Sequence, residues 1–143
     1  MSTPELQRVK QALQEADVEI YRTQGDEVHV AERVRLHIMD SGVRVRVGHS
    51  VAVEFTARSQ RSDFPHAPSE DLFLKVREVV GTPARARGYE ETEADTVSVK
   101  DPVDDNKVLD VWHEVTYSKS LESLDGLVDE VRWALEVEKY VTS

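Results

Sequence analysis

Apolar and polar residues alternate through the middle of the chain. The first alternating run covers residues 33–38, and the second covers residues 43–58. A period of two is typical of strands that have one buried face and one face in water. Because Asp, Ser and Gly stand between the runs, we predict a hairpin that turns at residues 41–42 and places Ile38 opposite Val45.

Elsewhere the apolar residues recur every three or four positions, which predicts helices. The predicted helices cover residues 4–16, 70–80 and 121–140, and further strands are predicted at residues 18–22, 96–100 and 108–117. Residues 84–89 are a candidate extension of the strand at 96–100. Gly81 and Pro83 follow the second helix and predict its end. The polar residues 101–107 predict a turn.

The resulting order is helix, three strands, helix, two strands, helix (α-β-β-β-α-β-β-α). Consecutive strands joined by short turns pair antiparallel, and helices with one apolar stripe pack on a sheet. We therefore predict an α+β fold with an antiparallel five-stranded sheet and helices packed on it. A chain of 143 residues is expected to form a single domain over residues 1–143.

The chain is acidic, with a formal net charge of −10, so nucleic acid is not an expected partner. It contains no cysteine, which removes disulfides and thiolate ligands from consideration. No apolar run is long enough for a membrane span, and the N-terminus lacks the features of a signal peptide. A soluble, cytoplasmic protein without membrane partners is expected.

No catalytic residue can be assigned from the pattern, and we expect a protein that is not an enzyme. The Gly48-His49-Ser50 segment is similar to a nucleophile elbow, but alternation through Phe55 predicts a continuous strand instead of a strand–turn–helix. His49 and His113 fall on apolar strand faces. They are interpreted as core imidazoles that are hydrogen-bonded to their neighbours, with a pocket lining or a pH-sensitive switch as the alternatives. Neither a metal site nor a cofactor is expected.

Five basic residues are candidates for a binding surface. They are Arg33, Arg35, His37, Arg44 and Arg46, and the predicted hairpin places all of them on its polar face. In an acidic chain, such a local concentration of positive charge is either a solvated face balanced by nearby acids or a contact for an anionic partner or a second subunit.

The last predicted helix carries two apolar stripes. Leu124, Val128, Val131 and Leu135 form the stripe expected to face the sheet. Trp133, Val137 and Tyr140 are spaced by four and three residues, so they would share a second face. An apolar face that contains aromatic residues is typical of an interface, and it predicts a homodimer that uses these three residues. Packing against another part of the same chain is the alternative.

This order of elements, with the size and acidity of the chain, resembles the type III secretion chaperone fold of class I secretion chaperones and YbjN-like proteins. The resemblance covers the chain from Pro4 to Tyr140. It implies a chaperone-like, non-enzymatic module that binds a protein or peptide and is a dimer. The alternative is a small-molecule or lipid-binding domain with a pocket between the sheet and the C-terminal helix.

Overall fold

The computed structural model of the protein describes residues 3–142. The helices are α1 (Pro4–Glu15), α2 (Ser69–Val76), α3 (Thr82–Ala86) and α4 (Leu127–Glu136). The strands are β1 (Ile20–Gln24), β2 (Glu27–Val34), β3 (His37–Val47), β4 (Val51–Gln60), β5 (Glu90–Lys100), β6 (Val108–Leu121) and β7 (Tyr140–Val141). The α+β class is confirmed, but the sheet within these residues has seven strands, not five.

The strands are hydrogen-bonded in the order β1-β2-β3-β4-β6-β5, and β7 pairs with β4. The pairs β1–β2, β2–β3 and β3–β4 are antiparallel, whereas the short β7 is parallel to β4. The residues cluster into two compact units. The first contains the residues up to Phe55 and residues 118–137, and the second contains residues 56–117 and those from 138 onwards.

In the first unit, α1 begins where the sequence predicts. The Thr3 hydroxyl accepts a hydrogen bond from the Leu6 backbone N–H at 3.1 Å, which satisfies one of the free donors at the helix start. Pro4 fits the first turn because it has no N–H to leave unpaired. Leu6, Val9 and Leu13 form the buried stripe of this helix.

The apolar face of β3 and β4 is buried as predicted, but the strand is not continuous. Val45 pairs with Val53, and Val47 pairs with Val51. Between the strands, the Gly48 N–H donates to the Ser50 carbonyl at 3.1 Å in a tight turn. The prediction that His49 lies on the buried face of a strand was therefore wrong. Val47 and Val51 are four positions apart, so the apolar–polar alternation continues across the turn and gives no sign of it in the sequence.

The predicted hairpin turn at residues 41–42 was also wrong. The chain turns at residues 35–36 instead, where Val34 pairs with His37. Residues 41–42 lie in a bulge of β3, across which the pairing with β2 shifts. The Ser41 hydroxyl donates to the Val30 carbonyl at 2.6 Å, and the Gly42 N–H donates to Asp40 Oδ1 at 2.9 Å. These polar side chains satisfy backbone groups inside the strand rather than at its end.

In the second unit, the helix predicted to stop at Gly81 continues. A π turn over Arg77–Gly81 joins α2 to α3, and Pro83 lies in the first turn of α3. Buried residues recur every four positions along this segment, namely Leu72, Val76, Val80 and Ala84. Gly81 serves close packing and does not end the helix, since a Cβ there would lie 2.5 Å from the Tyr117 hydroxyl.

The last helix is shorter than predicted. A 3₁₀ turn over Leu124–Gly126 precedes α4, and α4 ends at Glu136, where Val137 is extended. Leu121 is the last residue of β6, and Tyr140 begins β7. Apolar residues at 121 and 124 imitate a helical spacing, but Gly126 follows them, and glycine is a poor residue inside a helix.

Candidate functional site

The five basic residues predicted to share one face separate into two groups. Arg33, Arg35 and His37 lie at the tip of the β2–β3 hairpin, and Arg44 and Arg46 lie at its base. The residue opposite Arg44 is His29, four positions before Arg33. At 3.3 Å per residue, about 13 Å of strand separates the two groups. We call residues 33–39 the hairpin tip.

The hairpin base is organised around His29, whose surface is only 2% exposed. Arg22 Nε donates to His29 Nδ1 at 2.9 Å, and Arg44 contacts His29 Nε2. Two carboxylates complete the cluster. Asp40 Oδ2 lies 3.9 Å from His29 Nδ1, and Glu27 Oε1 lies 3.8 Å from His29 Nε2. The base is therefore a compact group of alternating charges around a buried imidazole.

Burial lowers the pKa of His29, and the neighbouring Arg44 and Arg22 lower it further, against the opposing effect of Asp40 and Glu27. His29 is thus neutral near pH 7, and a neutral imidazole accepts at one nitrogen only. The arginines of the base have carboxylate partners as well. Arg44 lies 3.6 Å from Asp40, and Arg46 lies 3.4 Å from Glu54 and 3.8 Å from Glu27. The positive charge of the base is compensated within the fold.

The hairpin tip has the opposite character. Leu36 at the turn is 95% exposed, and Val34, Ile38 and Met39 are each about half exposed. Arg35 beside it has φ of 58°, in the left-handed region that most side chains avoid. No glycine or asparagine marks this turn, and the alternation runs through it. The sequence therefore carried no signal that Leu36 and Met39 face water.

The charges of the tip are less compensated than those of the base. Arg33 pairs with Glu19, with 2.6 Å between guanidinium nitrogens and the carboxylate. Arg35 has no ion pair among residues 3–142, and His37 is exposed. The tip thus combines projecting apolar side chains with positive charge. Such a surface can bind another molecule through apolar contact and charge attraction.

A groove of about 560 Å³ lies in the first unit, beside the tip. Its apolar lining comes from Val18 between α1 and β1, Ala31 on β2 and Leu135 on α4. Arg132 at its edge donates from Nη2 to the Ala16 carbonyl at 2.9 Å, at the end of α1. The groove is the nearest counterpart of the pocket predicted between sheet and C-terminal helix.

The residues predicted to form an interface do not share a helical face. Trp133 lies on α4, partly exposed, with its ring edge-on to Phe55 at a centroid distance of 5.8 Å. Val137 caps the end of α4, and its N–H donates to the Trp133 carbonyl at 2.9 Å. Tyr140 belongs to β7, outside any helix. The helical spacing that grouped the three residues was therefore wrong.

In the second unit, Tyr140 contributes to an aromatic clamp on an arginine. The Arg58 guanidinium lies 3.6 Å from the Trp112 ring centroid and 4.4 Å from the Tyr140 ring centroid. Beside it, the Arg58 N–H donates to the Lys139 carbonyl at 2.8 Å, which draws β7 onto β4. The clamp has a structural role, because cation–π contact of one guanidinium with both rings ties β7 to this unit.

His113 is buried, as predicted, on β6. It is 1% exposed, and its ring stands edge-on to Phe73 at 5.1 Å. His113 was also predicted to be hydrogen-bonded to its neighbours, but neither ring nitrogen has a hydrogen-bond partner among the described residues. Burial lowers the pKa of His113, with a further contribution from Arg61, so the ring is neutral. His113 packs in the core of this unit, and His49 is exposed in the β3–β4 turn.

Within residues 3–142, no three His, Asp or Glu side chains are grouped as a metal site would require. None of the helices described is both long and apolar enough to cross a membrane. Ser50 precedes a strand instead of a helix, which is not the geometry of a nucleophile elbow.

Comparisons with protein-family models, with curated proteins and with solved structures found no match for this chain.

Proposed function

We propose that the protein is a non-enzymatic protein- or peptide-binding module and that the hairpin tip is its contact surface. The observation that carries the proposal is Leu36, which is 95% exposed and flanked by other exposed apolar side chains. Apolar surface in water carries a free-energy cost of about 25 cal/mol per Å², which a partner that covers it removes. An exposed apolar cluster at a hairpin turn is therefore a docking surface.

The chemistry of the tip selects the partner. Arg35 and His37 stand beside the apolar side chains, so a polypeptide that alternates acidic and apolar residues matches both features. A projecting hairpin presents its surface to a strand or loop more readily than it encloses a small molecule. Such binding suits the chaperone-like, dimeric role that the resemblance implies.

The second candidate function is small-molecule or lipid binding in the groove beside the tip. Its volume of about 560 Å³ and its partly apolar lining favour this candidate. Asp17, Glu19 and Glu32 line the groove as well as Arg33 and Arg132, so its charge does not favour an anionic head group over a neutral one.

Two labelled peptides of equal length test the first candidate, one alternating Glu and Leu and one alternating Lys and Leu. We expect the acidic peptide to bind in fluorescence anisotropy and the basic peptide to bind much more weakly. Leu36→Ser should weaken binding about tenfold, since apolar contacts at the centre of an interface carry most of its energy. Leu74→Ser is the matched control, because Leu74 is half exposed on α2.

Amide chemical-shift mapping with the acidic peptide locates the site. Shifts concentrated at residues 33–39 support the proposal. Shifts confined to the groove around Ala31 and Leu135 would favour the second candidate. Equal binding of both peptides, or binding unchanged by Leu36→Ser, would overturn the assignment of the tip.

A further inference from the structure

A second exposed apolar surface lies on the β5–β6 hairpin of the second unit. Val103 in its turn is 96% exposed, and Val97, Val108 and Leu109 around it are partly exposed. The strand β5 stands at the end of the strand order and is exposed along most of its length. We call residues 95–109 the acidic hairpin.

The turn of the acidic hairpin has a fixed conformation. The Asp101 carboxylate accepts from the Val103 N–H at 2.8 Å and from the Asp104 N–H at 3.3 Å. The Asp104 carboxylate accepts from the Asn106 N–H at 3.0 Å. These bonds hold Val103 outward, so its exposure results from the turn geometry. A preorganised apolar side chain loses little conformational entropy when a partner covers it.

The charge of the acidic hairpin is opposite to that of the hairpin tip. Residues 95–109 contain four aspartates against two lysines, and Asp105 next to Val103 is exposed. Residues 33–39 contain two arginines, one histidine and no acid. Each surface therefore joins a nearly fully exposed aliphatic side chain to charges of one sign, and the signs are complementary.

We propose that the hairpin tip of one copy of this chain docks on the acidic hairpin of a second copy. The inference rests on the proposed function and names the partner of the tip as the protein itself. Val103 of one copy lies against Leu36 of the other, and Arg35 faces Asp105. Each copy carries one tip and one acidic hairpin, so it can take part in two such contacts.

Contact between like surfaces is disfavoured by charge. If two tips faced each other, the Arg35 side chains of the two copies would meet. If two acidic hairpins faced each other, the two Asp105 side chains would meet. Like charges at an interface oppose association. The favoured contact is therefore between a tip and an acidic hairpin. Two variants with opposite charge reversals should then associate with each other better than either associates with itself.

Sedimentation equilibrium of the full chain provides the test. We expect the wild type to self-associate more weakly as salt rises, because the charges lie at the edge of the contact. Leu36→Ser and Val103→Ser should each weaken self-association about tenfold. Leu74→Ser, on α2, should leave it unchanged.

A charge swap gives the decisive measurement. Arg35→Glu and Asp105→Arg should each weaken self-association, because like charges then meet at each contact. In an equimolar mixture, the reversed tip of one variant meets the reversed hairpin of the other, and the second contact keeps its native pair. The mixture should therefore associate more tightly than either variant alone. Arg8→Glu, on the exposed side of α1, is the control for an unrelated charge reversal.

A wild type that stays monomeric at about 1 mM would overturn the inference, since a weaker contact has no role at cellular concentrations. So would an Asp105→Arg variant that associates like the wild type, or a mixture no tighter than its components. The acidic-peptide experiment separates the two proposals. If the chain is monomeric but its tip still binds the acidic peptide, the proposed function stands and the self-association is overturned. If the chain self-associates but does not bind the acidic peptide, only the proposal that the tip binds other polypeptides is overturned.

Discussion

The base and the tip of the β2–β3 hairpin contain the same kinds of residue and differ in what surrounds them. At the base, His29 is buried among arginines and carboxylates that compensate one another. At the tip, Arg35 and His37 stand in water beside the exposed Leu36. The bulge at residues 41–42 lies between the two regions and shifts the pairing.

The comparison distinguishes basic residues whose charge the fold already pairs from basic residues whose charge it leaves unpaired. Arg44 and Arg46 have carboxylate partners within 4 Å, so their charge acts on folding. Arg35 has none among the described residues, so its charge remains available for the partner that we propose. Substitutions at the base should therefore lower stability, whereas substitutions at the tip should leave stability unchanged and weaken the proposed binding.

The largest expected difference concerns the two histidines. His29→Ala removes a buried ring and takes away the acceptor of the Arg22 Nε–H, which should lower the free energy of unfolding by about 2–4 kcal/mol. His37→Ala removes an exposed ring at the tip and should change it by no more than about 0.5 kcal/mol. Urea denaturation followed by circular dichroism measures both values. Equal losses for the two variants would contradict the distinction between base and tip.

The bulge between the two regions provides the second test. Gly42 has φ of 83°, and a Cβ built there meets nothing within 4 Å. Gly42→Ala should therefore cost only the backbone strain of a left-handed alanine, about 1 kcal/mol. Gly48 also has open space around its Cβ, but its φ lies outside that region. Gly48→Ala is thus the control, and an equal loss for both glycines would exclude conformational strain as the cause.

The buried face of this region was predictable, and the turns were not. Val43, Val45 and Val53 are buried because a period of two in apolar residues determines one face of a strand. The same period runs through both turns, because apolar residues stand at even positions from 34 to 38 across the first and at the odd positions 47 and 51 across the second. Hydrophobic alternation alone cannot reveal a turn of this kind, and only a residue with a strong turn preference would do so.

The candidate site was predictable in part for a related reason. Arg33, Arg35 and His37 were identified as basic residues of one hairpin, and they are neighbours at its tip. Arg44 and Arg46 were separated from them because Asp40 and Ser41 bond the backbone inside a bulge rather than at a turn. Asp, Ser and Gly satisfy backbone groups both in a strand bulge and at a hairpin turn, so the sequence could not distinguish the bulge from a turn.

The smallest expected effect is the dependence of stability on pH. Burial, with Arg44 and Arg22, lowers the pKa of His29 in the folded protein below its ordinary value of 6.5. Burial and Arg61 lower the pKa of His113 in the same direction. The unfolded chain therefore binds more protons than the folded chain once the pH falls below about 6.5. The contribution of both histidines to stability is present above that pH and is lost as the pH falls towards and through their folded pKa values.

The last prediction is that this loss comes from the buried histidines. Unfolding free energies at several pH values between 7 and 5 should decline in the wild type. The decline should be smaller in His113→Phe, because an aromatic ring of similar shape keeps the edge-on contact with Phe73 and cannot bind a proton. A nuclear magnetic resonance titration of His29 measures its pKa directly. A His29 pKa above 6.5 would show that Asp40 and Glu27 outweigh burial and the arginines, and the base would then be a site that gains stability from acid.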